Sequence, residues 1–597
     1  MRRLLIGLVA GFSLFGALAT NATADPPATR YPPKVPVATG TGGAAATVDA
    51  LASQAAVRVL ERGGNAIDAA VAAAAMLGVV EPYSCGIGGG GFMVIYRASD
   101  QSVTTIDSRE TAPAAFRPDS FLLDPATGAE MPFAEAQTSG LGVGVPGTFR
   151  AWEYTLAKYG TMKLARLLVP AKQVAQRGFV VDQTFTDQTN ANRHRFRDIA
   201  PTRALFLTAS GEAPAPGSIF RNPDLARTYA RLAAQGSRAF YSGPLAQAIV
   251  RTVQNPPVVP GTTRNVRPGV MTVSDLAAYR VVERAPAVVT YRGLQVYGMG
   301  PPSSGGSTVG ESLNILEGYD LAGTSRVDAL HRYIEASALA FADRGRYLGD
   351  SDYVFVPLAG LLSDSYAAER RALIGPTAAP KPVEPGDPTD NEGPSTTHLT
   401  VSDRWGNVVS YTFTIESTGG SALTVPGYGF LLNNELTDFD FQTGRENSPA
   451  GGKRPRSSMS PTIVLSNGRP LFALGSPGGA TIITTVLQIL LNRIDFGMTL
   501  PEAVNAARLS PRNGTTILAE PGFMASPERA ALEALGHRFA ATSEIGAATA
   551  IEFFPNGFVQ AVAEPLRRGG GSALVVAPSG SSGTSPGKRT RARAGIR

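Results

Sequence analysis

The sequence predicts an α+β protein, on three observations. Long stretches of the N-terminal two thirds repeat apolar residues with helical period, and short β-branched runs interrupt them. A strand–turn–strand pattern also begins at a doubled threonine, Thr396-Thr397.

Val48 to Glu61 and Ala66 to Val79 read as two helices around Gly63-Gly64-Asn65, where glycine ends the first and Asn65 caps the second. Gly88 to Gly91 feeds a strand from Phe92 to Tyr96, and such a glycine run marks backbone passing close to another segment. Helical periodicity returns at Thr148 to Tyr159, Pro223 to Gln235, Val309 to Tyr319 and Val327 to Tyr347, with Asn222 a cap before a first-turn proline. From Ala378 to Pro394 the chain is rich in Pro, Gly and acid, which predicts an exposed loop that does not pack. His398 to Asp403 and Val408 to Ile415 form a hairpin about Gly406-Asn407, and Ile482 to Leu491 reads as a helix. No repeat and no domain boundary within residues 25–395 is visible, so the parts before and after Thr396 should interleave in one fold.

With 43% hydrophobic residues in 597, the chain has ample material for a core. Met1-Arg2-Arg3, the apolar run Leu4 to Ala19 and Ala22-Thr23-Ala24 read as a signal peptide over residues 1–24, predicting a periplasmic or secreted protein. That run falls short of the roughly 20 apolar residues of a spanning helix, so no membrane span is expected. Cys85 is alone, which excludes an internal disulfide. The net charge of +6 resides at the ends: Arg2, Arg3, Lys588, Arg589, Arg591, Arg593 and Arg597 exceed it together. The body is therefore no nucleic-acid binder, and residues 578–597 read as a disordered basic tail. The histidines at 194, 331, 398 and 537 include no pair at metal-ligand spacing, so neither a metal nor another cofactor is expected. Gly142, Gly144 and Gly147 match a dinucleotide fingerprint, but Pro146 intrudes and no strand precedes them.

The threonine pair carries the chemistry. A threonine hydroxyl needs a base within hydrogen-bond reach before it attacks a carbonyl. Cleavage between Ser395 and Thr396 would give Thr396 an α-amine of pKa roughly 7.7 to 8.0, placing nucleophile and base on one residue. In the uncut chain that nitrogen is an amide, so the precursor should be inactive.

Thr396-Thr397-His398, Leu432-Asn433-Asn434-Glu435, Asp438-Phe439, Ser457-Ser458-Met459-Ser460-Pro461 and Gly475-Ser476-Pro477-Gly478-Gly479 resemble the small-subunit motifs of the γ-glutamyltranspeptidase family. Gly63 to Ala70, Gly88 to Phe92, Arg109-Glu110, Gly144 to Gly147 and Pro301 to Gly306 are similar to its large-subunit motifs, and the resemblance runs from about Pro36 to Val576. It implies an N-terminal nucleophile hydrolase: one precursor cut autocatalytically into a large subunit, residues 25–395, and a small subunit, residues 396–577, folded together as a four-layer αββα sandwich. By resemblance, Thr396 is the nucleophile, Thr414 orients it, and Gly478 and Gly479 present N–H groups to the oxyanion. Arg109, Ser457 and Ser458 would hold the α-carboxylate of a γ-glutamyl group, and Glu416, Glu435 and Asp438 its α-ammonium. The segment between Asp438 and Lys453 is short compared with members carrying a lid loop, as in the branch that includes cephalosporin (glutaryl) acylases. The implied substrates are γ-glutamyl compounds of the glutathione class. The alternatives are a glutaryl or cephalosporin acylase of the same fold and, more distantly, a non-catalytic periplasmic binding protein.

Overall fold

One strand that changes sheets halfway along its length organises the molecule. The computed structural model describes residues 31–384 and 396–579; the signal-peptide region, Ser395 and the basic tail from residue 580 lie outside these. Six strands of the main sheet precede the doubled threonine: β1 (Val37–Thr47), β2 (Gly90–Arg97), β3 (Ser102–Asp107), β4 (Val282–Arg284), β5 (Ala287–Tyr291) and β6 (Leu294–Gly298). Seven more of its strands follow: β7 (Thr397–Asp403), β8 (Val408–Thr414), β9 (Thr462–Ser466), β10 (Arg469–Gly475), β11 (Thr549–Phe553), β12 (Val559–Ala563) and β13 (Ser572–Pro578). All pair antiparallel in the order β4-β3-β2-β8-β7-β1-β12-β11-β10-β9-β6-β5, with β13 against β1. Strands from before and after residue 395 alternate in this path, which is the interleaving the sequence predicts. β13 runs one residue past the expected end of the small subunit.

Residues Val37 to Gly40 of β1 pair with β12, whereas Gly43 to Thr47 pair with β7, and a bulge separates the halves. The turn of direction folds the strand path into two facing sheets. Side-chain alternation proves the layering. Val94, Tyr96 and Val408 meet Ile463, Leu465 and Ala473 between the sheets. The alternate residues of the first sheet, among them Ile95, Leu399, Val401 and Tyr411, pack outward against α1 (Ala50–Glu61) and α2 (Ala66–Val80). Val464, Phe472 and Leu474 of the second sheet pack outward against α3 (Gly305–Glu317), α4 (Arg326–Tyr347) and α5 (Thr481–Ile494). The result is a four-layer αββα architecture.

Element boundaries follow the caps. α1 starts at Ala50 because Asp49 accepts the Leu51 N–H at 2.8 Å, and α2 carries a capping box between Asn65 and Asp68. α3 starts at Gly305, four residues earlier than its apolar period suggests, since packing against β5, β6 and α5 outweighs the low helix propensity of its glycines. The expectation for residues 378–394 needs correction over its first part. Residues 378–384 are tied down, with Ala378 N–H donating to Leu535 O at 2.8 Å and Val383 N–H to Asn513 Oδ1 at 2.7 Å. Their partners lie more than a hundred residues away, so composition could not show them.

Candidate active site

Strand period decides what meets at the site. The β7–β8 register pairs Thr397 with Phe413 and His398 with Thr412, which sets Thr396 opposite Thr414. Both hydroxyls face the space between the sheets, 3.2 Å apart, with Thr396 donating. Thr414 Oγ1 accepts the Glu416 N–H at 2.8 Å. The glycine run before β2 is explained here: a Cβ on Gly89 would lie 1.9 Å from the Thr414 carbonyl oxygen, so only glycine lets that loop pass behind β8. On the same face His398 bonds Thr412 Oγ1 at 2.8 Å and Thr400 Oγ1 at 3.1 Å. Burial pushes its imidazole down to about 3, so the ring is neutral.

A small cavity brings together nine of the ten residues the sequence selects for catalysis and substrate binding: Thr396, Thr414, Gly479, Arg109, Glu416, Glu435, Asp438, Ser457 and Ser458. Met459 and Ile482, which sequence reasoning did not select, complete its lining. Gly478, the tenth, precedes Gly479 in the loop from β10 to α5. The two glycines have φ of 138° and 59°, and neither N–H donates a hydrogen bond within the described residues. Two unpaired donors at the start of a 14-residue helix form a ready site for developing negative charge.

Arg109 is 1% exposed, with Nη1 on Glu435, Nη2 on Asp438 and on Arg456 O at 2.8 Å, and Nε on Pro455 O at 3.2 Å. The groups expected at the two charged ends of a ligand thus pair with each other, since a guanidinium so deeply buried needs counter-charge. Glu110, to which sequence reasoning gave no role, adds a buried carboxyl; burial pushes it up to about 8 against the pull of Arg109. It therefore holds its proton at neutral pH. Glu416 is gripped by Ser417 Oγ at 2.5 Å and by Asn434 Nδ2. The carboxyl oxygens of Glu416, Glu435 and Asp438, lining the cavity beside a single cation, leave this end suited to an ammonium group.

Ser458 Oγ accepts from Arg344 Nη2 at 2.8 Å, and Ser457 O accepts from Ser304 N and Oγ, each at 2.7 Å. Arg344, on α4, was also missed; its buried guanidinium carries no local signal in a helix that reads as simply amphipathic. The segment after Asp438 is held down by Phe441 stacked on Phe121 at 4.3 Å and by Asn447 Nδ2 on Asp438 O at 2.7 Å.

Away from the cavity, the fold assembles a histidine pair that sequence spacing hides. His331 Nδ1 and His537 Nε2 lie 2.8 Å apart, with Glu335 beside them. The Lys381 ammonium contacts both Glu335 oxygens at 2.8 Å, so Glu335 helps hold residues 378–384 in place.

Facing antiparallel sheets between helical layers, with a threonine leading a central strand, are the architecture of N-terminal nucleophile hydrolases. The family model described as Gamma-glutamyltranspeptidase matches residues 52–574. The chain belongs to the gamma-glutamyltranspeptidase family. It is 38% identical to the glutathione hydrolase proenzyme of Bacillus subtilis, over 95% of this chain and 97% of that one. It is likewise 38% identical to the acylase ACY 1 proenzyme of Pseudomonas sp. (strain V22), over 87% and 91%. Among solved structures, cephalosporin acylase from Bacillus halodurans matches with TM-score 0.80 and 30% identity, covering 92% of this chain and 99% of that one.

Proposed function

We propose that this chain is the precursor of a γ-glutamyltransferase and glutathione hydrolase with Thr396 as nucleophile. The hydroxyl of Thr396 facing that of Thr414 at 3.2 Å, at the head of a central strand, carries this reading. Thr396 has φ of 111°, a conformation rare for a β-branched residue. Such strain costs on the order of 1–3 kcal/mol, and cutting the Ser395–Thr396 bond removes the constraint that stores it. Attack of the Thr396 hydroxyl on the Ser395 carbonyl, then hydrolysis of the resulting ester, yields residues 25–395 with a new carboxylate and residues 396–597 with a new α-amine.

In the mature enzyme that amine takes the hydroxyl proton as Thr396 Oγ1 attacks the γ-carbonyl carbon of the substrate. The Gly478 and Gly479 N–H groups hold the oxyanion, the C–N bond breaks, and the proton passes to the leaving amine. Water, or the amine of an amino acid or peptide, then attacks the γ-glutamyl ester. Arg109 with Ser457 and Ser458 takes the α-carboxylate of the substrate, and Glu416, Glu435 and Asp438 take its ammonium.

The named relatives support glutathione-class substrates, proenzyme processing and a paired large and small subunit. The apolar N-terminal run supports export to the periplasm or beyond, and no described helix is long and apolar enough to cross a membrane. The second reading, a glutaryl or cephalosporin acylase, draws on the acylase relatives. The carboxyl oxygens of Glu416, Glu435 and Asp438 beside Arg109 favour the zwitterionic γ-glutamyl end over a glutaryl chain, which lacks the ammonium. Rapid acid quench with a γ-glutamyl amide, followed by peptide mass analysis, should find one γ-glutamyl group on the peptide beginning at Thr396. An adduct elsewhere, or a glutaryl amide turned over far faster, rejects the reading.

A further inference from the structure

The carbonyl of Thr396 has a partner that the reaction as described leaves unused. Arg568 Nη1 donates to it at 2.7 Å. Arg568 lies in a 3-10 turn from Arg567 to Gly569, and its own backbone takes the left-handed φ of 53°, uncommon for a long side chain. That turn is fixed from outside, since the Arg568 N–H donates to Glu544 Oε2 at 3.0 Å. The chain thus holds a non-glycine residue in a costly conformation, and the outcome is a guanidinium delivered to the backbone of the nucleophile.

We propose that Arg568 is a positioning residue for Thr396: its guanidinium fixes the carbonyl, and its charge keeps the α-amine released by scission in the neutral, proton-accepting form. This rests on the reading of Thr396 as nucleophile. A cation beside an amine disfavours the protonated amine, and the amine and the carbonyl are both attached to the Thr396 Cα, so the guanidinium cannot bind one without standing close to the other. The opposing charge is Glu81, at the end of α2, which interacts with Arg568 and which burial pushes up to about 7. Asp49, Asp182 and Lys34 act on Glu81 from the same side, and Glu544 holds the turn. Across the cavity stand Arg109 and its carboxyl neighbours Glu110, Glu416, Glu435 and Asp438.

The test is the pH profile of kcat/KM for a γ-glutamyl amide, whose acid limb reports the amine of the free enzyme. R568M is expected to move that limb upward by about one pH unit, a loss of about tenfold on the acid side. R568K keeps the charge and should leave the limb within about 0.3 unit of the parent. Glu81 is half protonated near pH 7, so E81Q removes an opposing charge present only on the neutral side of the limb and should not raise it. An acid limb in R568M that coincides with the parent, or equal movement in R568M and R568K, overturns the proposal even if kcat falls. Should R568M remain uncut, the other two variants decide: a limb raised in E81Q, or moved by about one unit in R568K, overturns it. These outcomes are separable from failure of the nucleophile itself, which an adduct on a residue other than Thr396 would reveal.

Discussion

Replacing Arg109 with methionine tests the binding end of the site, because the structure fixes both a stability cost and a specificity change. The guanidinium side chain is 1% exposed, and its partners Glu435 and Asp438 are 0% and 7% exposed. Removing one member of such a buried set costs about 3–5 kcal/mol, because the remaining charges lose compensation. Burial raises the Glu435 carboxyl well above its ordinary range, and its protonation softens that cost, so the loss should grow with rising pH. R109M/E435Q should be more stable than R109M alone, and urea midpoints of the four proteins in this cycle measure the coupling. On the kinetic side, a charge-assisted bond to the substrate α-carboxylate is worth about 1.5–3 kcal/mol, or about 10- to 150-fold in kcat/KM. A glutaryl amide has no such carboxylate and should lose only what general loosening of the site costs. Equal loss on γ-glutamyl and glutaryl amides would refute the assignment of Arg109, whatever happened to stability.

Two further outcomes follow from backbone and burial. G478A places a Cβ 2.5 Å from Thr481 Oγ1 on a backbone with φ of 138°, so the loop must shift. It should lower kcat about 100- to 1000-fold with little change in KM, as loss of one oxyanion donor does, and steady-state kinetics on the cut enzyme checks this. His398 titrates near 6.5 when unfolded and at about 3 in the fold, so between these values the unfolded chain binds the extra proton. Its contribution is complete above about pH 6.5 and drains by about 1.4 kcal/mol per unit as pH falls toward 3. H398Q should therefore show a shallower loss of stability between pH 6.5 and 4 than the parent, measured by urea midpoints; parallel slopes would contradict the neutral buried ring.

Much of this was legible in the sequence because the hairpin geometry is local. Alternation along His398 to Asp403 and Val408 to Ile415, with a turn at Gly406-Asn407, implies the hairpin, and its register sets Thr396 opposite Thr414, the partner that the family resemblance implies. The helices Thr148–Tyr159 and Pro223–Gln235 agree with their periodicity to the residue, the second because Asn222 caps it and Pro223 opens it. What escaped is long-range and polar. Arg109 meets Glu435 across 326 positions, Arg344 meets Ser458 across 114, and Arg568 meets Thr396 across 172. No period or propensity links such residues, and an arginine in sequence looks like a solvated charge until the fold buries it. The family motifs supplied residues for the cavity, yet not the fact that its arginine and acids pair with each other.

The central claim is that main-chain scission creates the base for Thr396, and denaturing electrophoresis of the parent beside T396A tests it most directly. The account predicts two chains, residues 25–395 and 396–597, for the active parent, and a single inactive chain for T396A. A T396A protein that matures into both chains, or an uncut parent that turns over γ-glutamyl amides, would contradict it.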